Sequence, residues 1–417
     1  MAVNEKKLLV IIVVIGFAFR ILAALVLKAQ PESDYAAYYA IAVNFLSGKG
    51  LSDGINDAFY NVGYPLFILA PIFSVFGANL VAAWIGNAVL GAASIVICYE
   101  VAKQMGAGKA GRLTAAVLFA LYIPSWTYTG YLAKENLMTP LLLGVIWCAL
   151  LLQKHPTLKF AVALGLLFGL IGLTGNAGFS FAGAALFALT LSPVTSLDKL
   201  RHAACILICT LALLTPWLIR NNQVVGAPVL NTNSGFNLYL GNNSNATGYF
   251  ISIADTPRGA TWHDLRLGGE LHASEMLRHE AISWMKEHPL DFISLSVKKA
   301  FLFWLPPIHK GKGPGSIAES MLRLLWLVQF SILAFAAAAT LFLKGLRNRF
   351  MLVPWTAIMG YTAVHMIYYV NFRYREPLMP VLCILAAIFM EYIGMKLTQR
   401  RKEVHIKMYK GARNSPT

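Results

Sequence analysis

The chain has 417 residues, of which 57% are hydrophobic and 13% charged, and its mean hydropathy is +0.60. Soluble domains carry about a quarter charged residues, so the composition excludes a soluble globular protein and indicates an all-α polytopic membrane protein. The net charge of +16 does not indicate a nucleic-acid partner, because the Lys and Arg residues fall largely in short loops between apolar runs, where they set orientation.

In chain order, about ten spanning segments are predicted, at about 8–28, 79–102, 112–130, 136–153, 159–174, 177–192, 202–219, 317–343, 351–370 and 377–395. The first follows Lys6 and Lys7 and lacks a small-residue processing site. The apolar piece Tyr64–Phe76, bracketed by Pro65, Pro71 and Gly77, is too short to span and reads as juxtamembrane. Basic residues cluster at Lys103, Lys109 and Arg112, at Lys154 and Lys159, at Lys199 and Arg201, and at Lys344, Arg347 and Arg349. A basic tail over 396–417 follows, with Lys396, Arg400, Arg401, Lys402, Lys407, Lys410 and Arg413. Alternation over ten spans places all of these, and both termini, on one face, which the positive-inside rule makes cytoplasmic. The chain then divides into an N-terminal membrane half (1–219) with a first outer loop (29–77), an outer segment (220–316), C-terminal spans (317–395) and the tail.

The first outer loop begins with Asp34, followed at helical spacing by Tyr35, Tyr38, Tyr39 and Phe45. Asp34 admits two readings, a helix N-cap or a general base resting on the bilayer. Asp53 and Asp57 lie in Gly-rich text and read as solvated turn residues. Glu135, after Lys134, opens the fourth span on the same face. It is either a dipole-favoured first-turn carboxylate or a second acid for chemistry on a hydroxyl. Arg20 lies well inside the first span, where a charge costs about 3 kcal/mol on insertion scales and is paired, functional or snorkelling.

The outer segment opens with NTNSGFNLYLGNNSNATG, which reads as turns between short extended pieces. An amphipathic helix is predicted over His263–His288, lying on the bundle or the lipid surface. Its four histidines, His263, His272, His279 and His288, lack ligand spacing. No metal site is evident, although a divalent metal stays compatible with the sequence. All five cysteines lie in apolar runs and read as small buried hydrophobes. The turn Asn371–Pro377 sets Arg373 and Arg375 on the outer face, against the positive-inside trend, beside Glu376. A phosphate partner and an internal carboxylate partner are equally compatible with it.

The phrases SDYAAYYAIAVNFLSGKG, GYPLFILAPIFSVFG, TPWLIRNNQVVGAPVLNTNSGFNLYLGNN, KEHPLDFISLSVKKAFLFW and FRYREPLMPVLCILAA follow one another from Arg20 to about Ile388. In order and placement they resemble the polytopic glycosyltransferases of the GT-C fold, in the protein-mannosyltransferase and aminoarabinose-transferase-like group (glycosyltransferase family 39). The resemblance implies an inverting transferase that moves a sugar from a polyprenyl-phosphate donor to a glycan, lipid or protein hydroxyl at the periplasmic face of a bacterial inner membrane. It implies that Asp34 is the catalytic carboxylate, that Glu135 is a second acid, and that Arg373 and Arg375 hold the donor phosphate, while the place of Arg20 in the outer half of its span makes it a further candidate for that phosphate. Tyr64, Arg220, Asn221 and Tyr374 would line the substrate cavity. Gly175–Asn176 stands where the group often carries an arginine–proline pair, and Val62 where a proline commonly precedes GYP. A transporter or flippase of lipid-linked oligosaccharide, or a polymerase, is the alternative class. The charge pattern makes the orientation testable: a cysteine introduced at Asn243 is expected to react with an impermeant reagent added outside, and one at Asn348 is not.

Overall fold

A computed structural model describes residues 4–306, 317–346 and 348–413, without the side chains of 318 and 404–413. The end of the long segment (307–316), Arg347, residues 414–417 and the side chains of Lys407, Lys410 and Arg413 therefore lie outside the described residues. Among the described residues the fold is helical throughout, apart from one isolated parallel bridge between Tyr249 and Val370.

Helix α1 (Glu5–Leu27) starts at Asn4, whose side chain accepts from the Lys6 amide. Helix α2 (Asp34–Leu46) is the short amphipathic helix of the first loop. The run after Tyr64 forms a π turn, Pro65–Leu69, and then α3 (Ala70–Phe76), which stops at Gly77 with φ +68°. Helix α4 (Leu80–Gln104) follows its Asn79 cap. The span expected at 112–130 is divided into α5 (Lys109–Ala120) and α6 (Ile123–Thr129). Pro124 has no amide to continue the ladder and begins the second helix instead.

Helices α7 (Glu135–Lys154) and α8 (Leu158–Thr174) come next, then a 3-10 turn, Asn176–Phe181, leading into α9 (Ala182–Thr190). Helix α10 (Ser196–Val225) ends at Gly226 with φ +88°. Beyond it lie α11 (Asn233–Gly241), α12 (Trp262–Leu267), α13 (Glu270–Glu287) and α14 (Pro289–Trp304). The chain closes with α15 (Ile317–Phe342), α16 (Arg349–Ile367), a 3-10 turn over Phe372–Leu378, and α17 (Met379–Arg413). Seven helices, α1, α4, α7, α10, α15, α16 and α17, are long and apolar enough to cross a membrane. The other three expected spans correspond to the α5–α6 pair, α8 and the turn with α9, each shorter in continuous helix.

Helix α7 is the axis of the bundle. It is apolar on all sides, with Leu137, Leu141, Leu143, Ile146 and Leu150 buried, and it packs against α4, α8, α9 and the turn Phe372–Leu378. A helix apolar all round belongs in an interior. Its first residue, Glu135, is thereby set at a rigid point of the fold.

Two expectations for the outer segment change. The stretch read as turns between extended pieces forms helix α11, because Tyr239 and its partly buried neighbours Phe236 and Leu238 pack with Leu277 and Ala281 of α13. Tertiary burial outweighs the weak helix propensity of its Asn, Ser and Gly residues. The single helix expected over His263–His288 is split into α12 and α13 at Gly268–Gly269, where Gly269 has φ +94°.

Helix α14 carries Lys299, which is fully buried and donates to Asn242 Oδ1 at 3.1 Å and to the Ile367 carbonyl at 3.3 Å. Burial pushes this ammonium down from about 10.5 to about 7. The unfolded chain therefore binds one more proton than the folded chain between those values, so stability rises as pH climbs through that window. Thermal unfolding in detergent at about pH 7 and about pH 9 should show the native chain gaining Tm at the higher pH. Lys299→Met should lose that component of the gain.

Candidate active site

Three segments far apart in sequence meet at one end of the bundle. Asp34 is the first residue of α2. The residue before it, Ser33, adopts φ +51° and ψ −126°, a conformation that L side chains rarely take, and makes no side-chain cap bond. Asp34 does not act as the cap either: its carboxylate accepts from Arg373. Arg373 sits in the turn Phe372–Leu378, which Asn371 begins by accepting the Arg373 amide at 3.2 Å.

The Arg373 guanidinium also approaches Glu135, with Nε 3.7 Å from Oε1. It is flanked by the rings of Tyr35 and Tyr374, whose centroids lie 5.5 and 5.4 Å away. The side chains of Arg373 and Glu135 are 16% and 5% exposed, so these charges interact in a partly dry setting where pairing matters. The structure thus brings Asp34, Glu135, Arg373 and Tyr374 together.

Two cavities meet at this cluster. A bundle cavity of about 330 Å³ reaches between the spanning helices and is lined by Glu135, Met138, Asn176, Asn231, Tyr361 and His365, among others. A loop cavity of about 460 Å³ lies beyond it, with Asp34, Arg373 and the aromatic side chains Tyr60, Phe236, Phe250 and Trp262 in its walls. Lys134, Asn233, Asn237, Tyr369 and Tyr374 line both and form the neck. Close backbone approach shapes this neck. A Cβ on Gly235 would lie 1.9 Å from the Ser274 carbonyl oxygen, and one on Gly241 2.5 Å from that of Tyr368, so α11 can lie against both only with glycine there.

Lys134 stands out at the neck. Its carbonyl accepts from the Leu137 and Met138 amides, but its ammonium makes no hydrogen bond or ion pair among the described residues, and burial lowers its pKa, opposed by the Glu135 charge. Asp34, Glu135 and Arg373 with Lys134 form a balanced set of two anions and two cations. An incoming anion would therefore meet one ammonium with unused donors.

Other expected site residues lie elsewhere. Arg375 is fully buried, and its Nη1 donates to the Phe303 and Leu305 carbonyls, each at 2.9 Å. Its guanidinium lies over the Phe330 ring at 4.2 Å and lines neither cavity, because with three residues per 3-10 turn side chains two positions apart point about 120° apart. Arg20 is 1% exposed and donates to the Gly16 carbonyl at 2.9 Å and to Ser125 Oγ at 3.0 Å. It lines a chamber of about 30 Å³ together with Glu135 and Glu376.

Tyr64 donates to Asn87 Oδ1 at 2.8 Å, and Asn87 in turn donates to the Thr129 and Tyr131 carbonyls, which props the approach to Lys134. Arg220 donates to the Asp57 carbonyl at 2.6 Å and the Leu51 carbonyl at 3.2 Å, while Asn221 donates to the Val229 carbonyl at 2.7 Å. Arg220 fastens α10 to the first loop, Asn221 ties its end to the chain that follows it, and neither lines either cavity. Among the described residues no group of three His, Cys, Asp or Glu could hold a metal ion. The place between Asp34 and Glu135 is taken by the Arg373 guanidinium.

Sequence reasoning passed over Lys134, His365 and the asparagines of both cavities. The Asn-rich text at 231–237 carried the signal, since neutral amides gathered on a wall suit a polyhydroxylated ligand as well as a turn.

Residues 64–219, 156 of the 417, match the family model described as dolichyl-phosphate-mannose-protein mannosyltransferase. The chain superposes on the archaeal oligosaccharyltransferase AglB from Archaeoglobus fulgidus, in complex with an inhibitory peptide and a dolichol-phosphate. The TM-score is 0.55 at 13% identity, over 96% of this chain and 52% of that one. The apo form of the A. fulgidus oligosaccharyltransferase gives a TM-score of 0.56 at 15% identity, over 100% and 53%. The chain has the GT-C membrane fold. ArnT from Cupriavidus metallidurans in the apo state gives 0.49 at 15% identity, over 94% of this chain and 63% of that one. No curated protein matches the sequence. This GT-C chain spans about half the length of the oligosaccharyltransferase it resembles.

The burial of Arg375 separates two roles that the RYREP turn could have combined. Arg375→Ala leaves two buried carbonyls without their donor, which costs about 1–3 kcal/mol for each unsatisfied group. The expected result is a lower Tm and a lower yield in detergent, with affinity for a polyprenyl phosphate unchanged in the protein that folds.

Proposed function

We propose that the protein is a membrane glycosyltransferase that moves a sugar, with inversion, from a polyprenyl-phosphate donor to an acceptor hydroxyl at the periplasmic face of a bacterial inner membrane. The observation that carries this reading is the neck. A general-base candidate, Asp34, lines the loop cavity, a second carboxylate, Glu135, lines the bundle cavity, and the ammonium of Lys134 borders both. The GT-C fold supports the same chemistry, and the oligosaccharyltransferase that shares it is described in complex with a dolichol-phosphate.

On this reading the donor's sugar enters the bundle cavity with its anomeric carbon at the neck, and the acceptor occupies the loop cavity. The acceptor oxygen attacks the anomeric carbon while its proton passes to the Asp34 carboxylate. The bond from that carbon to the phosphate oxygen breaks with its electron pair going to the phosphate, and a single displacement inverts the centre. Lys134 and Arg373 stabilise the charge that gathers on the departing phosphate. As Arg373 turns donors toward the phosphate it releases Asp34 to take the proton, which makes the resting ion pair a placeholder for the substrate.

A flippase for lipid-linked sugars would place its polar groups near mid-membrane. Here they gather at one end of the spanning helices, at the starts of α2 and α7 and just before α17. Transfer of label from a polyprenyl-phosphate sugar to an extractable acceptor in proteoliposomes, set against translocation of the intact lipid, separates the two.

The roles of base and phosphate ligand divide by kinetics. Asp34→Asn should fold and bind donor but lose about 100- to 10,000-fold in turnover, since an amide cannot take the proton. Lys134→Ala should raise the donor KM about 10- to 100-fold, as expected for a lost charge-assisted contact. Near-native turnover in Asp34→Asn would remove Asp34 from the chemistry.

A further inference from the structure

The bundle cavity contains a chain of three asparagines outside the ion-pair cluster, anchored where Asn61 Nδ2 also donates to the Gly172 carbonyl of α8 at 3.3 Å. Asn61 Nδ2 donates to Asn176 Oδ1 at 3.0 Å, and Asn231 Nδ2 donates to Asn61 Oδ1 at 3.3 Å. They come from three separate places: the first loop, the turn after α8, and the run into α11. All three line the cavity. Asn61 and Asn231 are 4% and 6% exposed, and Asn231 Oδ1 is buried with no hydrogen-bond partner. Buried acceptors are rarely left in that state. At the other end of the chain, Asn176 Nδ2 donates to nothing among the described residues and faces the same space.

We infer that Asn61, Asn176 and Asn231 are the specificity-determining residues for the donated sugar, and that they read neutral hydroxyls on the ring. This rests on the proposed function, in which the bundle cavity takes the donor. A relay of amides ending in a free acceptor and a free donor matches neighbouring hydroxyls, each of which can give one hydrogen bond and receive another. Tyr361, Tyr368 and Tyr369 border the same cavity and supply apolar faces for the carbon-bound hydrogens of a sugar ring.

The amide chain bears no charge. The charged groups of the cavity, Lys134 and Glu135, belong to the start of α7 and serve the phosphate and Arg373. A charged substituent placed against the asparagines would lose its hydration without gaining a counter-ion. A site built to hydrogen-bond a hydroxyl rejects the analogue lacking it, because its own polar groups are then left unpaired.

The test measures affinity, so it requires no acceptor. Purified full-length chain in nanodiscs is titrated with undecaprenyl phosphate, with undecaprenyl-phosphate-linked glucose, mannose and galactose, and with the single-position deoxy form of each. The native chain and Asp34→Asn should bind at least one parent donor more tightly than undecaprenyl phosphate, and should bind one of its deoxy forms about 10- to 100-fold more weakly. Asn231→Ala and Asn176→Ala should bind undecaprenyl phosphate as the native chain does, yet bind parent and deoxy donor alike. Because Asn176 is only partly buried, its variant carries the test if Asn231→Ala fails to fold.

The inference is overturned if either folded variant keeps the native discrimination, or if no linked sugar improves on undecaprenyl phosphate. Both results leave the lipid-phosphate reading standing. Failure of the native chain to bind undecaprenyl phosphate at all would remove the proposed function, and this inference with it.

Discussion

The site depends on one guanidinium. Arg373 holds Asp34 directly, stands 3.7 Å from Glu135, and lies between two tyrosine rings. Asp34 and Arg373 are 339 positions apart in the chain. Two carboxylates at this depth would repel each other across a medium that screens poorly, so neither could be placed without the cation. That requirement ties α2, the start of α7 and the turn before α17 to a common point.

The bundle supplies rigidity to that point and the outer segment supplies walls. Helix α7 is buried on all sides, so Glu135 and Lys134 have little freedom to move. The outer helices are latched onto the first loop by polar contacts instead of a second core. Glu270 accepts from the Asp57 and Ala58 amides at 3.1 and 2.9 Å, and Arg266 donates to Asn56 Oδ1 at 2.6 Å. Those contacts bring Phe236 and Trp262 over the first loop, with Phe59 and Phe236 rings 5.5 Å apart, and so close the loop cavity.

Arg20, Arg375 and Glu376 show how weakly charge within a span identifies a ligand site. All three are buried, and the two arginines donate mainly to backbone carbonyls. Arginine offers five donors in a fixed fork, which serves exposed helix-end carbonyls as readily as a phosphate. Lys134 differs because its ammonium borders two cavities, whereas the unpaired Nε and Nη2 of Arg375 are buried away from both.

Much of this was decided by sequence. Hydropathy and the placement of Lys and Arg determine a polytopic helical protein, since apolar runs of span length have no other stable environment. Asp34, Glu135 and Arg373 were visible as charges at the ends of spans, where a charge must have a reason to be. Tertiary structure alone decided which of two arginines, two positions apart, faces the cavity. The RYR spacing is the same whether the turn is extended or 3-10, and only its packing against α7 distinguishes Arg373 from Arg375. It also decided that the asparagines of three distant segments share a wall, because a neutral amide in a loop has the same local propensity whether it turns the chain or faces a ligand.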